Sequence, residues 1–228
     1  KGESMFSKEE ILAPIFEYGL IPVIRTDDSH HAMALAEAIF NGGLPTIEVT
    51  MTVPGVLGVI EKLCSLFGDK ALVGAGTVLD ADTARMAILA GADYIVTPCL
   101  DAETIAVCHR YSKPAIPGAM TPTEILQAWN LGADLVKVFP ADLFGGPRFI
   151  QALQGPLPQV EVMPSGGITL ESAAGFIQAG ASVLSVGGGL IDRQIMREKN
   201  YNALTQKTET FLEIISESRK DTATVPSP

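Results

Sequence analysis

Histidine, cysteine and positive charge are scarce in this chain, and each shortage closes off a class of chemistry. The three histidines are His30, His31 and His109. The first two are adjacent near a helix start, where they cannot share a metal with ordinary geometry, so no metal site is expected. A Ser-His-Asp arrangement fails for the same shortage. The three cysteines, Cys64, Cys99 and Cys108, are odd in number and form no CxxC, and no secretory signal is read. A reduced, cytoplasmic compartment is the simplest expectation. Lysine and arginine number 16 against 26 aspartates and glutamates, giving a net charge of −10. That balance argues against a nucleic-acid or anionic-membrane partner. No uncharged apolar run reaches the roughly 18 residues that would span a membrane. After the first strand pattern the chain reads Thr26-Asp27-Asp28-Ser29, so the G-x-G-x-x-G turn of a dinucleotide-binding sheet is missing.

What is present is apolar and periodic. Of 228 residues, 47% are hydrophobic, enough to fill a sizeable core. After a short amphipathic helix near Ser7–Tyr18, strand and helix patterns alternate with no break in composition. The strand patterns are Leu20–Arg25, Thr46–Thr50, Leu72–Thr77, Tyr94–Pro98, Ala115–Gly118, Leu135–Pro140, Glu161–Gly166 and Val183–Gly188. The helix patterns between them begin at Ser29, Asp80, Asp101, Thr121 and Thr169, all suited to capping an N-terminus. Eight strands, each followed by a helix, predict an α/β fold, a (β/α)8 TIM barrel with a short N-terminal helix. One domain over residues 1–219 is expected, followed by a disordered tail over 220–228, which is small and polar with prolines at 226 and 228. The residues before Met5 read as an added or processed end.

An internal repeat sharpens the picture. Four helices end in a glycine that leads into a strand: Asn41-Gly42-Gly43, Ala90-Gly91-Ala92-Asp93, Leu131-Gly132-Ala133-Asp134 and Ala179-Gly180-Ala181-Ser182. Counting five residues on from Gly43, Gly91, Gly132 and Gly180 gives Glu48, Val96, Lys137 and Ser185. These would be strands two, four, six and eight, and alternate strands of such a barrel share an interior layer. Glu48 and Lys137 then belong to one layer, while Ile47, Val49, Val136 and Val138 face the helices. A lysine in a buried strand is costly unless it is paired or neutral, and buried lysines serve as amine nucleophiles toward carbonyls. Glu48 is the ionisable group able to move protons beside it. The alternative is a structural ion pair, which would keep the lysine charged and inert.

Two glycine clusters, Pro164-Ser165-Gly166-Gly167-Ile168 and Ser185-Val186-Gly187-Gly188-Gly189, follow the last two strands. Many barrels offer main-chain N–H groups to a phosphate there, although tight turns also need glycine. Arg25, ending the first strand beside the eighth, is the candidate cation, with an ordinary exposed arginine as the alternative.

These residues carry a family likeness. The chain from about Leu20 to Ile191 resembles the 2-keto-3-deoxy-6-phosphogluconate (KDPG) aldolase family, with its 4-hydroxy-2-oxoglutarate aldolase activity. The matching stretches are Gly19-Leu-Ile-Pro-Val-Ile-Arg25, Ile47-Glu-Val-Thr50, Val73-Gly-Ala-Gly-Thr-Val78, Ile116-Pro-Gly118, Met120-Thr-Pro-Thr-Glu124, Val136-Lys-Val-Phe-Pro-Ala141 and Pro164-Ser-Gly-Gly-Ile168. The resemblance implies a cofactor-free class I aldolase that splits KDPG into pyruvate and glyceraldehyde 3-phosphate, as a homotrimer of barrels. It makes Lys137 the Schiff-base lysine and Glu48 the general acid/base. Thr50 and Thr77 fall on the substrate side, with Thr77 near the pyruvyl carboxylate, and Pro98 and Phe139 line the pocket. Ser165, Gly166, Gly167, Gly187 and Gly188 lie at the phosphate end. Many members carry an arginine where this chain has Thr52; another branch reads threonine there and keeps an arginine ending strand one, so Arg25 takes the anion-binding role. Members often have a serine where this chain has Gly189, a hydroxyl contact worth on the order of 1 kcal/mol. The close alternatives are the galactonate-derived epimer and 4-hydroxy-2-oxoglutarate as substrate. Further off are a phosphate-binding barrel isomerase or epimerase and a non-catalytic sugar-phosphate-binding barrel.

Overall fold

The computed structural model of the protein describes residues 6–223, the last two by their backbone alone. The expected processed end before Met5 lies outside the described residues. Chain order is α1 (Lys8–Tyr18), β1 (Leu20–Ile24), α2 (Ser29–Asn41), β2 (Thr46–Thr50), α3 (Val56–Phe67), β3 (Leu72–Gly76), α4 (Ala81–Leu89), β4 (Ile95–Val96) and α5 (Ala102–Arg110). There follow β5 (Ala115–Ile116), β6 (Gly118–Ala119), α6 (Pro122–Asn130), β7 (Val136–Val138), α7 (Pro147–Gln154), β8 (Val162–Pro164), α8 (Leu170–Gln178), β9 (Leu184–Val186), α9 (Arg193–Glu198) and α10 (Tyr201–Ala223).

All strand pairs are parallel. Six strands run in the order β5-β4-β3-β2-β1-β9, and β6-β7-β8 form a second sheet. The expected fifth strand is split, because Pro117 between β5 and β6 has no N–H to give to a ladder. At the far edge a parallel bridge joins Ser165, just past β8, to Ser185 in β9. The fold is thus α/β, with a curled parallel sheet and helices outside it.

Strand alternation sorts the apolar residues into two cores. Ile47, Val49, Val136 and Val138 lie in the larger core between sheet and helices, as the alternation predicts. The smaller core lies inside the curl and holds Ile21, Tyr94, Val96, Met163 and Val183, closed at one end by Ile11 and Ile15 of α1. That helix is held by a capping box, with Ser7 accepting from the Glu10 amide and the Glu10 carboxylate accepting from the Ser7 amide.

Helix starts follow the expected caps at Asp80, Asp101, Thr121 and Thr169. The exception is α2, where Asp28 is the cap and accepts from the His30 amide, leaving Ser29 as the first helical residue. The chain end also differs from expectation, since α10 continues through Ala223, past the boundary at 220. Arg219 fastens it, donating to the carbonyls of Glu17 and Ser182 at 2.7 Å each. The rest of the expected disordered tail, 224–228, lies outside the described residues.

Candidate active site

Beyond the C-terminal ends of the strands lies a cavity of about 310 Å³. Lys137 reaches it from β7, and the residue is 7% exposed. The Lys137 ammonium nitrogen lies 5.3 Å from the centre of the Phe139 ring, which forms one wall together with Pro98. Ser165, Gly166 and Gly167 after β8, and Gly187 and Gly188 after β9, make the opposite end. Gly166 and Gly167 have φ of 99° and 64°, a pair of left-handed residues that an L side chain would strain. The Ser165 hydroxyl donates to that of Ser185 at 3.1 Å, tying the turn after β8 to strand β9.

Arg25 and Thr77 line the remaining side. The guanidinium of Arg25 donates to Thr77 Oγ1 and to Thr52 Oγ1, each at 3.0 Å. It is turned toward the ends of β2 and β3, away from the glycine loops. Thr52 and Thr77 thereby hold the arginine between them. Thr77 sits at φ 56°, an uncommon conformation for a threonine and of the kind that collects at functional sites.

All the residues singled out from the sequence line this cavity except two. Thr50 is fully buried behind the wall, donating to the Ile24 carbonyl at 3.2 Å and lying 2.9 Å from Thr52 Oγ1. It completes a relay Thr50–Thr52–Arg25–Thr77. Glu48 is fully buried within β2, its carboxylate over Gly76 of β3 and without a hydrogen bond. Burial pushes the Glu48 carboxyl above its ordinary value, with the charges of Lys137 and Arg25 pulling the other way. No ion pair joins Glu48 to Lys137 among the described residues, so the lysine is not locked to a counter-ion.

Three lining residues, Val23, Ile168 and Ser185, were not singled out as site residues. Ser185 was within reach, since it shares the repeat position of Glu48 and Lys137. Val23 was too: it is the register partner of Glu48, an inward position two residues before Arg25. Ile168 had no signal, because its place depends on how the Gly166–Gly167 turn folds back. Among the described residues no group of three or more His, Cys, Asp or Glu side chains is placed to hold a metal ion.

A buried amine in a concave site at one end of the strands, a carboxyl beneath it and two glycine turns opposite is an arrangement for carbonyl chemistry on an anionic substrate. Comparison with known proteins agrees. Residues 12–207 match the family described as KDPG and KHG aldolase. The chain is 30% identical over 210 residues to the 2-dehydro-3-deoxy-phosphogluconate aldolase of Haemophilus influenzae, covering 92% of this chain and 99% of that one. It is 34% identical over 172 residues to the 2-dehydro-3-deoxy-6-phosphogalactonate aldolase of Escherichia coli, covering 75% and 83%. Among solved structures, the KDPG aldolase of Legionella pneumophila with pyruvate captured as a covalent carbinolamine superimposes with a TM-score of 0.78 at 28% identity, over 86% of this chain and 96% of that one. The chain belongs to the KDPG and KHG aldolase family.

Proposed function

We propose that this protein is a class I aldolase that reversibly splits KDPG into pyruvate and glyceraldehyde 3-phosphate through a Schiff base on Lys137, without a cofactor. The observation that carries the reading is the nearly buried Lys137 amine opening into the cavity with a carboxyl raised by burial set behind it. The Lys137 side-chain nitrogen attacks the C2 carbonyl to give a carbinolamine, which loses water to become an iminium. Glu48 takes the proton of the C4 hydroxyl, the C3–C4 bond breaks, and its electron pair flows into the iminium to leave an enamine. The aldehyde departs, Glu48 returns the proton to C3, and water releases pyruvate and the amine. A carboxyl lifted toward neutrality suits both halves of that shuttle.

Arg25 and Thr77 receive the pyruvyl carboxylate, with Thr50 and Thr52 fixing the arginine from behind. Ser165, Gly166, Gly167, Gly187 and Gly188 receive the phosphate, and Pro98 and Phe139 wall the carbon chain. The same reading takes the two sheets as one eight-stranded barrel, continuous across Pro117 and through the Ser165–Ser185 bridge. Three copies assemble as a cytoplasmic homotrimer, and Leu143 and Phe144, 76% and 57% exposed, are apolar surface that a second copy would cover.

A second reading is the galactonate-derived epimer of the substrate, supported by the 34% identity to the 2-dehydro-3-deoxy-6-phosphogalactonate aldolase of Escherichia coli. The test is condensation of pyruvate with each aldehyde. Faster turnover with glyceraldehyde 3-phosphate than with glyoxylate, giving the gluconate epimer, is the expected result. The galactonate epimer selects the second reading, glyoxylate alone selects 4-hydroxy-2-oxoglutarate, and no condensation with either contradicts the aldolase assignment.

A further inference from the structure

Three of the four buried side-chain polar atoms without a hydrogen bond among the described residues lie in one place, inside the curl. They are both carboxylate oxygens of Glu48 and the hydroxyl of Tyr94. Buried polar groups are rarely left alone, and two on adjacent layers call for an explanation. Strand β3 makes room for both. A Cβ on Gly74 would lie 2.2 Å from Tyr94 Cε2 and 2.3 Å from Cζ, while a Cβ on Gly76 would lie 1.8 Å from Glu48 Oε1. Gly74 is also the register partner of Glu48. The end of the phenol ring and the carboxyl therefore share one inner face of β3, two residues or about 7 Å apart along the strand.

Tyr94 is fully buried, and burial pushes its phenol well above the ordinary value, with the Glu48 and Asp93 carboxylates adding to the effect. It stays protonated and needs an acceptor. Asp93 is already engaged, its two oxygens taken by the Val73 amide and the Lys113 ammonium. Glu48 is the acceptor left. The other charged groups acting on Glu48 are Lys137 on β7 and Arg25 after β1, both cations.

We infer that Tyr94 is a positioning residue for Glu48: its hydroxyl donates, through one enclosed water, to the carboxylate and holds it over Gly76. The layer spacing is too long for a direct bond and suits a bridging water with two polar partners. The inference rests on the aldolase reading, in which Glu48 moves the protons. A donor on the carboxylate favours its charged form, so loss of the phenol hydroxyl lifts the Glu48 pKa further.

The test is Tyr94→Phe, read by exchange of the pyruvate methyl protons in deuterium oxide across a pH series, with borohydride trapping of pyruvate in parallel. Trapping on Lys137 persists, and the acid limb of the exchange profile moves up by about one pH unit, slowing exchange about tenfold on that limb. A folded variant whose profile superimposes on wild type overturns the inference and leaves the aldolase reading standing. Wild type that neither exchanges nor traps overturns both. Should the variant not fold, fluorotyrosine incorporated for tyrosine strengthens the donor and shifts the limb downward; an unmoved limb overturns the inference.

Discussion

Gly76 has no side chain where Glu48 needs the space. Alanine there would set its Cβ 1.8 Å from Glu48 Oε1, and the carboxyl must move. Overpacking of this kind costs about 1–3 kcal/mol, and a misplaced acid/base loses on the order of 100-fold in rate. Gly76→Ala is therefore expected to lower kcat far more than it raises KM, as steady-state kinetics would show. Glu48→Gln separates function from stability. The folded-state pKa of Glu48 is raised, so folding favours its protonated form. Its contribution is greatest at acid pH and is lost as pH rises through that raised value. Glutamine stays neutral, so the variant is expected to be 10²- to 10⁴-fold slower, by roughly the worth of a general acid/base. It is also expected to melt higher than wild type at mildly alkaline pH, measured by thermal denaturation. Lys137 and Glu48 were legible in the sequence because a repeat fixes their count from a helix-ending glycine, and a strand's period of two fixes their face. The Thr50–Thr52–Arg25–Thr77 relay was not, since it depends on side-chain rotamers that no spacing encodes.

Elements show what the repeat is for. In both Ala-Gly-Ala-Asp and Leu-Gly-Ala-Asp the aspartate accepts a main-chain N–H from an earlier strand: Asp93 from Val73 of β3 and Asp134 from Ala115 of β5, each at 3.0 Å. Asp93 also takes the Lys113 ammonium at 3.3 Å, in a pair with both side chains nearly buried. Breaking such a pair by removing one partner costs about 3 kcal/mol. Asp93→Ala is expected to lower the melting temperature while leaving pyruvate trapping on Lys137 intact. Gly189 has an element-scale cause as well. A Cβ there would lie 1.8 Å from the Ile168 carbonyl oxygen, so the loops after β8 and β9 approach more closely than a side chain allows. Gly189→Ser is expected to raise KM for a phosphorylated substrate, because the loop has to give way. Strand and helix order was readable from turn chemistry and apolar periodicity. The division of the fifth strand at Pro117 was the missed consequence of a missing N–H, and the reach of α10 was hidden by a polar composition that Arg219 offsets through its carbonyl contacts.

The whole molecule sets a net charge of −10 against a site whose cations, Lys137 and Arg25, converge on one cavity. An anionic substrate is therefore drawn by local geometry and not by the overall field. No helix among the described residues is long and apolar enough to cross a membrane. Sedimentation equilibrium is expected to give three times the 24.1 kDa chain mass, and a single-chain mass would contradict the homotrimer. The central claim is covalent. Borohydride reduction in the presence of pyruvate, followed by peptide mass mapping, is expected to leave a pyruvyl-sized adduct on the peptide that holds Lys137, and none in Lys137→Ala. Absence of any adduct in wild type across the neutral range would contradict the Schiff-base account.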